Sequence, residues 1–446
     1  MRAIDDIAAD LGAGRTTSRA LVEEALGRIA DPAGEGSRTF IKVHADQARA
    51  VADAIDALRK VGRAPSPYAG IPLALKDLFD IAGEPTPAGS AVLADAPPAK
   101  ANAPVVARML TAGFISVGRV NMTEFAFSGL GINPHYGTPS SPWDRGSKRI
   151  PGGSSSGTGV AVADGMAAAG LGTDTGGSCR IPAAFCGVVG YKPTARRVPI
   201  DGVLPLAPSL DSVGPLAPTV ACCVAIDAIL AGETPRGPIP ASVDGLRLVV
   251  PENLVLDGLD DTVAAAFDRA LSLLSAAGAR ITRTRLAPFD DVAAVNAKGG
   301  FAASEAYAWH KPLLATAGDG YDQRIRLRIA RGEHMSAAEY VTLAQARKRL
   351  IGEFNQATAP FDAVVMPTVP IVAPRIADLD DERAYNNTNM LILRNTALGN
   401  FFDRCAISIP CHRPGDAPVG LMLTGETMGD ARLFSIAAGI EALLRG

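Results

Sequence analysis

Apolar residues recur at helical spacing near the start of the chain. In residues 17–29 they fall at Leu21, Ala25, Leu26 and Ile29, with Thr17 or Ser18 placed to cap a helix. A second amphipathic helix is predicted over residues 45–61, with Val51, Ala54, Ile55 and Leu58 as its inward stripe. The period then shortens. Ile71, Leu73 and Leu75 alternate as in a strand, and Lys76 stands at its end. Further on, Val105, Val106, Met109 and Leu110 predict a helix ending at Gly113, with a strand over residues 114–117 behind it. A Gly, Pro, Ser and Asn-rich stretch up to Arg149, including His135, reads as a long functional loop. Residues 203–233 run from a proline-marked loop into a helix, and the linker TPRGPIPASVDG follows. Strands are then predicted at 246–251, 362–370, 405–410 and 419–425, the last two as neighbours. Helices are predicted at 261–277, from the Ser336 and Glu339 capping box to about 357, and at 430–444. Such alternation predicts an α/β fold around a mixed or parallel sheet.

Composition narrows the function. The chain has 446 residues, 48% of them hydrophobic and 20% charged, which is the balance of a globular enzyme with a sizeable core. A net charge of −3 offers no basic field for a nucleic-acid backbone, so direct nucleic-acid binding is not expected. Asp5, Asp6 and Asp10 occupy the place of a signal peptide's apolar segment, and Asp164 and Asp174 interrupt the longest apolar run. The chain therefore reads as a cytoplasmic protein without a membrane segment. Its six cysteines show no CxxC pair and no zinc-ligand spacing, and read as buried free thiols.

The chemistry concentrates in residues 150–194. Two hydroxyl-rich glycine loops, GGSSSG and TDTGGS, are joined by a run of Ala, Gly and Val with Asp164 as its one charge. Small residues allow close backbone approach, so two loops brought together suggest acyl transfer. There is no GxSxG elbow and no Walker phosphate loop, and all five histidines lie outside the stretch. A serine nucleophile here needs another base. Lys76 has two readings: a snorkelling surface lysine, or a buried lysine whose charged form is disfavoured, leaving a neutral amine able to act as base.

GGSSSG followed by GTDTGGSCRIPAAFCGVVGYKPT, with GIPLALKD upstream, resembles the amidase signature family of serine amidohydrolases. The resemblance continues through PLAPSLDSVGPLAPTV, DAVVMPTVP, AISIPC and PVGLMLTG, and is weakest at about residues 234–360. It implies an α/β amidase signature fold, with a mixed central β-sheet flanked by α-helices. It further implies one domain over residues 1–446, a signature core at about 65–215 and a variable segment at about 234–360. By position it makes Ser178 the nucleophile, Ser154 the bridging serine, joined to Gly153 by a cis peptide bond, and Lys76 the base. It also places the oxyanion hole at the N–H groups of Thr175, Gly176, Gly177 and Ser178, and gives Ser155, Asp174 and Arg180 supporting roles. A serine hydroxyl activated by a neutral lysine through a second hydroxyl is a chemically sufficient nucleophile.

Two departures bear on the substrate. Ser156 stands where many members have glycine. Ile181 is apolar where the glutamine-hydrolysing component of tRNA-dependent amidotransferases carries a polar residue, which places Ile181 in the substrate pocket and favours an uncharged acyl group. Asn400, Asp403 and Arg404 are candidates for the pocket or for surface ion pairs. The expected activity is cleavage of the C–N bond of a small carboxamide through an acyl-enzyme, releasing ammonia or an amine. The partner is then a small-molecule amide, no cofactor or metal is called for, and a homodimer is left open. The competing readings are the glutamine-hydrolysing component of a Glu-tRNA(Gln) amidotransferase, a hydrolase of allophanate- or biuret-type urea derivatives, and a non-catalytic scaffold.

Overall fold

Every residue of the strand Pro72–Lys76 is buried, including the lysine. The cause is its place in the sheet. In the computed structural model, which describes residues 1–445, this strand is β2 of a mixed sheet whose other strands are β1 (Phe40–Val43), β3 (Ile115–Val120), β4 (Ala169–Thr173), β5 (Val189–Lys192), β6 (Val213–Ala217), β7 (Arg247–Pro251), β8 (Arg280–Thr284), β9 (Ala363–Pro367), β10 (Ala406–Pro410) and β11 (Gly420–Thr424). Their order is β1-β3-β2-β4-β6-β5-β10-β11-β9-β7-β8. Strand β2 runs parallel to β3 on one side and to β4 on the other. Leu73 and Leu75 enter the largest apolar cluster, while Ala74 faces the cluster built on Val22, Ala25 and Ile55. A strand covered on both faces carries no solvent side, and that removes the snorkelling reading of Lys76.

The expected mixed α/β architecture is observed, with β10 and β11 paired antiparallel. Strands from both sides of the proline-rich linker, β6 and β7 among them, belong to this one sheet. Among the described residues, no helix is long and apolar enough to cross a membrane.

Two expectations are corrected. The helix Ala45–Lys60 buries Ala48, Ala52 and Ile55, whereas Val51 and Leu58 are 38% and 41% exposed. Its rotation follows from its neighbour, the helix Ser18–Ala30. Asp56 accepts hydrogen bonds from the Ser18 and Arg19 N–H groups, and Asp53 and Arg49 pair with Arg19 and Glu23. Alanines at the contact let the two helices approach closely. Strand β6 lies where a proline-marked loop was expected. Pro215 sits inside it, an unusual place for a residue that cannot donate to a ladder, and β6 nonetheless pairs with both β4 and β5.

Candidate active site

Parallel β2 and β4 bring Lys76 and Thr173 to the same end of the sheet. The carboxyl ends of parallel strands, where chain leaves the sheet for loops, are where α/β folds hold ligands. Lys76 Nζ donates to Ser154 Oγ at 2.8 Å and lies 2.8 Å from Thr173 Oγ1. The carboxylates adjacent in sequence are engaged elsewhere: Asp77 pairs with Arg119 at 2.7 Å, and Asp174 with Arg180 at 2.8 Å. Burial therefore dominates and pushes the Lys76 amine down to about 7, with the charges of Asp174 and Asp211 opposing it.

Ser154 follows Gly153 through a cis peptide bond, as the resemblance implied. The turn is pinned by Gly153 N–H donating to Gly129 O (2.7 Å) and Thr123 N–H donating to Ser154 O (3.1 Å). A short helix, Ser156–Ala163, begins immediately after it with Ser155 at its N-cap. Ser155 Oγ donates to Thr173 O and Ser156 Oγ to Asn121 O, both at 3.4 Å.

The second loop leaves β4 at Asp174. Gly177 has φ +138°, and a Cβ there would lie 2.2 Å from Thr396 Oγ1, so a side chain cannot be accommodated. Thr175 Oγ1 donates to Asp211 Oδ1 (2.5 Å), Thr396 Oγ1 to Gly176 O (2.7 Å) and Ser212 Oγ to Asp174 O (3.0 Å). With its flanks held this way, the loop leaves the N–H groups of Thr175, Gly176, Gly177 and Ser178 without a protein acceptor among the described residues.

Behind the loop, the Asp174 carboxylate accepts from Cys179 N–H (3.1 Å), Arg180 Nε (3.0 Å), Arg180 Nη2 (2.8 Å) and Asn400 Nδ2 (3.0 Å). Burial opposes its charge, but the guanidinium and the amide outweigh burial and hold the carboxyl below its usual range. Arg180 also donates to Thr396 O and Asn400 Oδ1, each at 2.8 Å, tying the loop to the helix Glu382–Phe401. Replacing Asn400 with leucine deprives buried Asp174 and Arg180 of partners at once. Each orphaned group costs about 1–3 kcal/mol. The expected result is a lower melting temperature together with roughly tenfold slower turnover and a nearly unchanged KM, read by thermal denaturation and steady-state kinetics.

Ser178 is 5% exposed and opens, with Thr175 and Gly176, onto a cavity of about 410 Å³. No hydrogen bond joins it to Ser154. The structure places Ile181 elsewhere than expected. It is fully buried behind the loop with Leu130, Phe185 and Ile392, and does not line the cavity. Nor do Asn400, Asp403 or Arg404 line it. Asn400 braces Asp174 from behind, Asp403 pairs with Arg196, and Arg404 donates to Gly425 O, Asn355 Oδ1 and Thr358 Oγ1. Sequence reasoning gave no role to Thr173, although it opens the TDTGGS loop, or to Asp211, although it lies within PLAPSLDSVGPLAPTV, and it missed Thr396, a polar residue that no local pattern separates from the many others. It also missed Arg328 in the cavity wall, for which a signal existed: QRIRLRIAR has no acid three or four places from that arginine.

Comparison with known proteins gives the family. The amidase family model matches residues 20–434. The chain is 39% identical over 402 residues to the 2-amino-5-chloromuconic acid deaminase of Comamonas testosteroni, covering 89% of this chain and 87% of that protein. It is 34% identical to the A component of the Glutamyl-tRNA(Gln) amidotransferase of Chloroflexus aggregans, covering 96% and 93% respectively. The crystal structure of an amidase superposes with a TM-score of 0.89 at 31% identity, over 99% of both chains. The chain thus belongs to the amidase signature family, hydrolases that act on amide C–N bonds.

Proposed function

We propose that this protein is an amidohydrolase in which Ser178 attacks the carbonyl of a small amide, Ser154 relays the proton and neutral Lys76 accepts it. The observation that carries this reading is a fully buried lysine amine with no ion-pair partner among the described residues, 2.8 Å from a serine hydroxyl, its pKa brought down to about 7 by burial. A neutral amine has a lone pair to accept the Ser154 proton and N–H groups left for Thr173 Oγ1. Closure of the relay requires Ser178 Oγ to reach Ser154 Oγ, and such bonds are often long before substrate binds. The four N–H groups from Thr175 to Ser178, left without protein acceptors among the described residues, would receive the oxyanion. Return of the proton through Ser154 expels ammonia or an amine, and water then releases the acyl group from Ser178. Asp174, Arg180 and Ser155 act by holding the two loops in register.

The 2-amino-5-chloromuconic acid deaminase relative supports ammonia release from a small molecule. The amidotransferase relatives support the second reading, glutamine hydrolysis inside a complex. Purified protein alone is expected to release ammonia from simple amides and to be labelled by a fluorophosphonate probe at Ser178, located by peptide mass spectrometry. Activity that appears only with glutamine and added partner proteins would establish the second reading; absence of labelling would revive a non-catalytic scaffold.

A further inference from the structure

The cavity in front of Ser178 has an unusual electrostatic make-up. Most of its wall is apolar, with Phe127, Leu210, Phe289, Phe301, Leu393 and Phe401 prominent, and no Asp or Glu among the described residues lines it. Its charged side chains are Arg328, Arg331 and Arg394. Each guanidinium nitrogen of Arg394 already donates one bond, to Asn395 Oδ1 (3.0 Å), Asp257 O (2.5 Å) and Val255 O (3.0 Å). Arg331 is exposed.

Arg328 differs from both. Its guanidinium lies 5.5 Å above the Phe127 ring, its Nε is buried without a hydrogen-bond partner, and no ion pair engages it among the described residues. Burial draws its pKa below the usual arginine value, with Tyr385 opposing the shift and the positive charge of Arg331 adding to it. The side chain is half-buried, and a guanidinium set partly into an apolar wall without a counter-ion is costly, because burial removes part of its hydration and no protein acceptor replaces it at Nε. The supporting helix, Gln323–Ala330, is nevertheless firmly fixed. Asp322 caps it through Arg324 N–H (3.0 Å), and Asp322 N–H donates to buried Glu124 Oε2 (2.7 Å). Glu124 precedes the segment that supplies Ala126, Phe127 and Ser128 to the same cavity. The cation is thus held in place toward the site and left without its anion.

We propose that the substrate is a monoamide of an apolar dicarboxylic acid, with its carboxamide at Ser178 and its remote carboxylate on Arg328, Arg331 adding positive potential alongside. This rests on Ser178 being the nucleophile. One water is consumed, the C–N bond breaks, and ammonia and the dicarboxylate leave. The same wall disfavours glutamine, whose α-ammonium would enter a cavity lined only by positive charges. It also replaces the expectation of an uncharged acyl group, which had rested on Ile181.

The test compares kcat/KM for glutaramic and adipamic acids with that for pentanamide and hexanamide, their chain-matched neutral amides, and for glutamine. A charged hydrogen-bonded pair predicts a preference for the carboxylated member of about 10- to 100-fold. In Arg328→Leu that ratio collapses toward unity, and in Arg328→Lys part of it returns. Equal turnover of charged and neutral amides by the wild type, a ratio unmoved in Arg328→Leu, or preference for glutamine overturns the proposal; the wild-type comparison depends on no variant folding. Calorimetric binding of adipate to Ser178→Ala, lost in Ser178→Ala/Arg328→Leu, reads the carboxylate site without turnover. Binding retained with no amide hydrolysed by the wild type would therefore sink the assignment of Ser178 alone, whereas turnover without carboxylate preference would sink the Arg328 assignment alone.

Discussion

Ser178→Ala is expected to lower kcat by about 10⁴- to 10⁶-fold, the range seen when a serine hydrolase loses its nucleophile. The change removes one oxygen and leaves the rest of the site in place. Ser178 Oγ makes no bond that supports the loop, whose shape is set by Gly177, Thr396, Asp174 and Ser212. Its loss should barely change the melting temperature, so a fall in rate reports chemistry rather than unfolding. A residual rate above the uncatalysed one is expected, because the free N–H groups and the cavity remain. Ammonia release by the purified variant, with its thermal melt as control, decides the matter. Near-normal turnover would remove Ser178 from the mechanism.

Lys76→Met should slow turnover by about 10²- to 10⁴-fold, the usual contribution of a positioned general base. Methionine approximates the lysine stem in length, so β2 keeps its packing while the amine is lost. The pH profile separates this reading from simple structural damage. With the amine near 7, the active neutral form accumulates as pH rises, so wild-type kcat/KM climbs with unit slope below about pH 7 and levels above it. That limb should vanish in the methionine variant. Stability provides a second readout. The folded pKa lies below that of an unfolded lysine, near 10.4, so the unfolded chain binds the extra proton between about pH 7 and 10.4. Wild-type stability should accordingly rise with pH across that window, and Lys76→Met should flatten this increment. A wild-type profile without a limb near 7 would mean that Lys76 is not the base.

How much could be read before folding depended on the range of the interactions involved. The helix Ser18–Ala30 and the capping box at Ser336 were legible because their signals lie within four residues. The inward face of Ala45–Lys60 was legible only at Ile55. Val51 and Leu58 are the more hydrophobic choice, yet Asp56 and Asp53 turn the helix so that alanines face the core. In β6, Pro215 and Gly214 concealed a strand that its partners β4 and β5 impose. Ile181 adjoins the Ser178 loop in sequence but packs with Leu130, Phe185 and Ile392 and does not line the cavity, which position in a motif does not convey.

The sequence by itself determined the kind of chemistry. Two glycine-serine loops at a set spacing, a lysine ending an apolar strand and no histidine in the stretch leave few ways to activate a serine, because the glycines specify backbone shapes that are local properties of the chain. Tertiary structure alone decided how far the lysine is buried and which side chains wall the cavity. Lys76 loses its solvent only because β3 and β4 flank it and helices cover both faces, and its pKa follows from that burial. The cavity wall likewise joins residues as distant as Phe127, Arg328 and Phe401, and an arginine without an acidic partner becomes visible only once every side chain that could neutralise it has been placed.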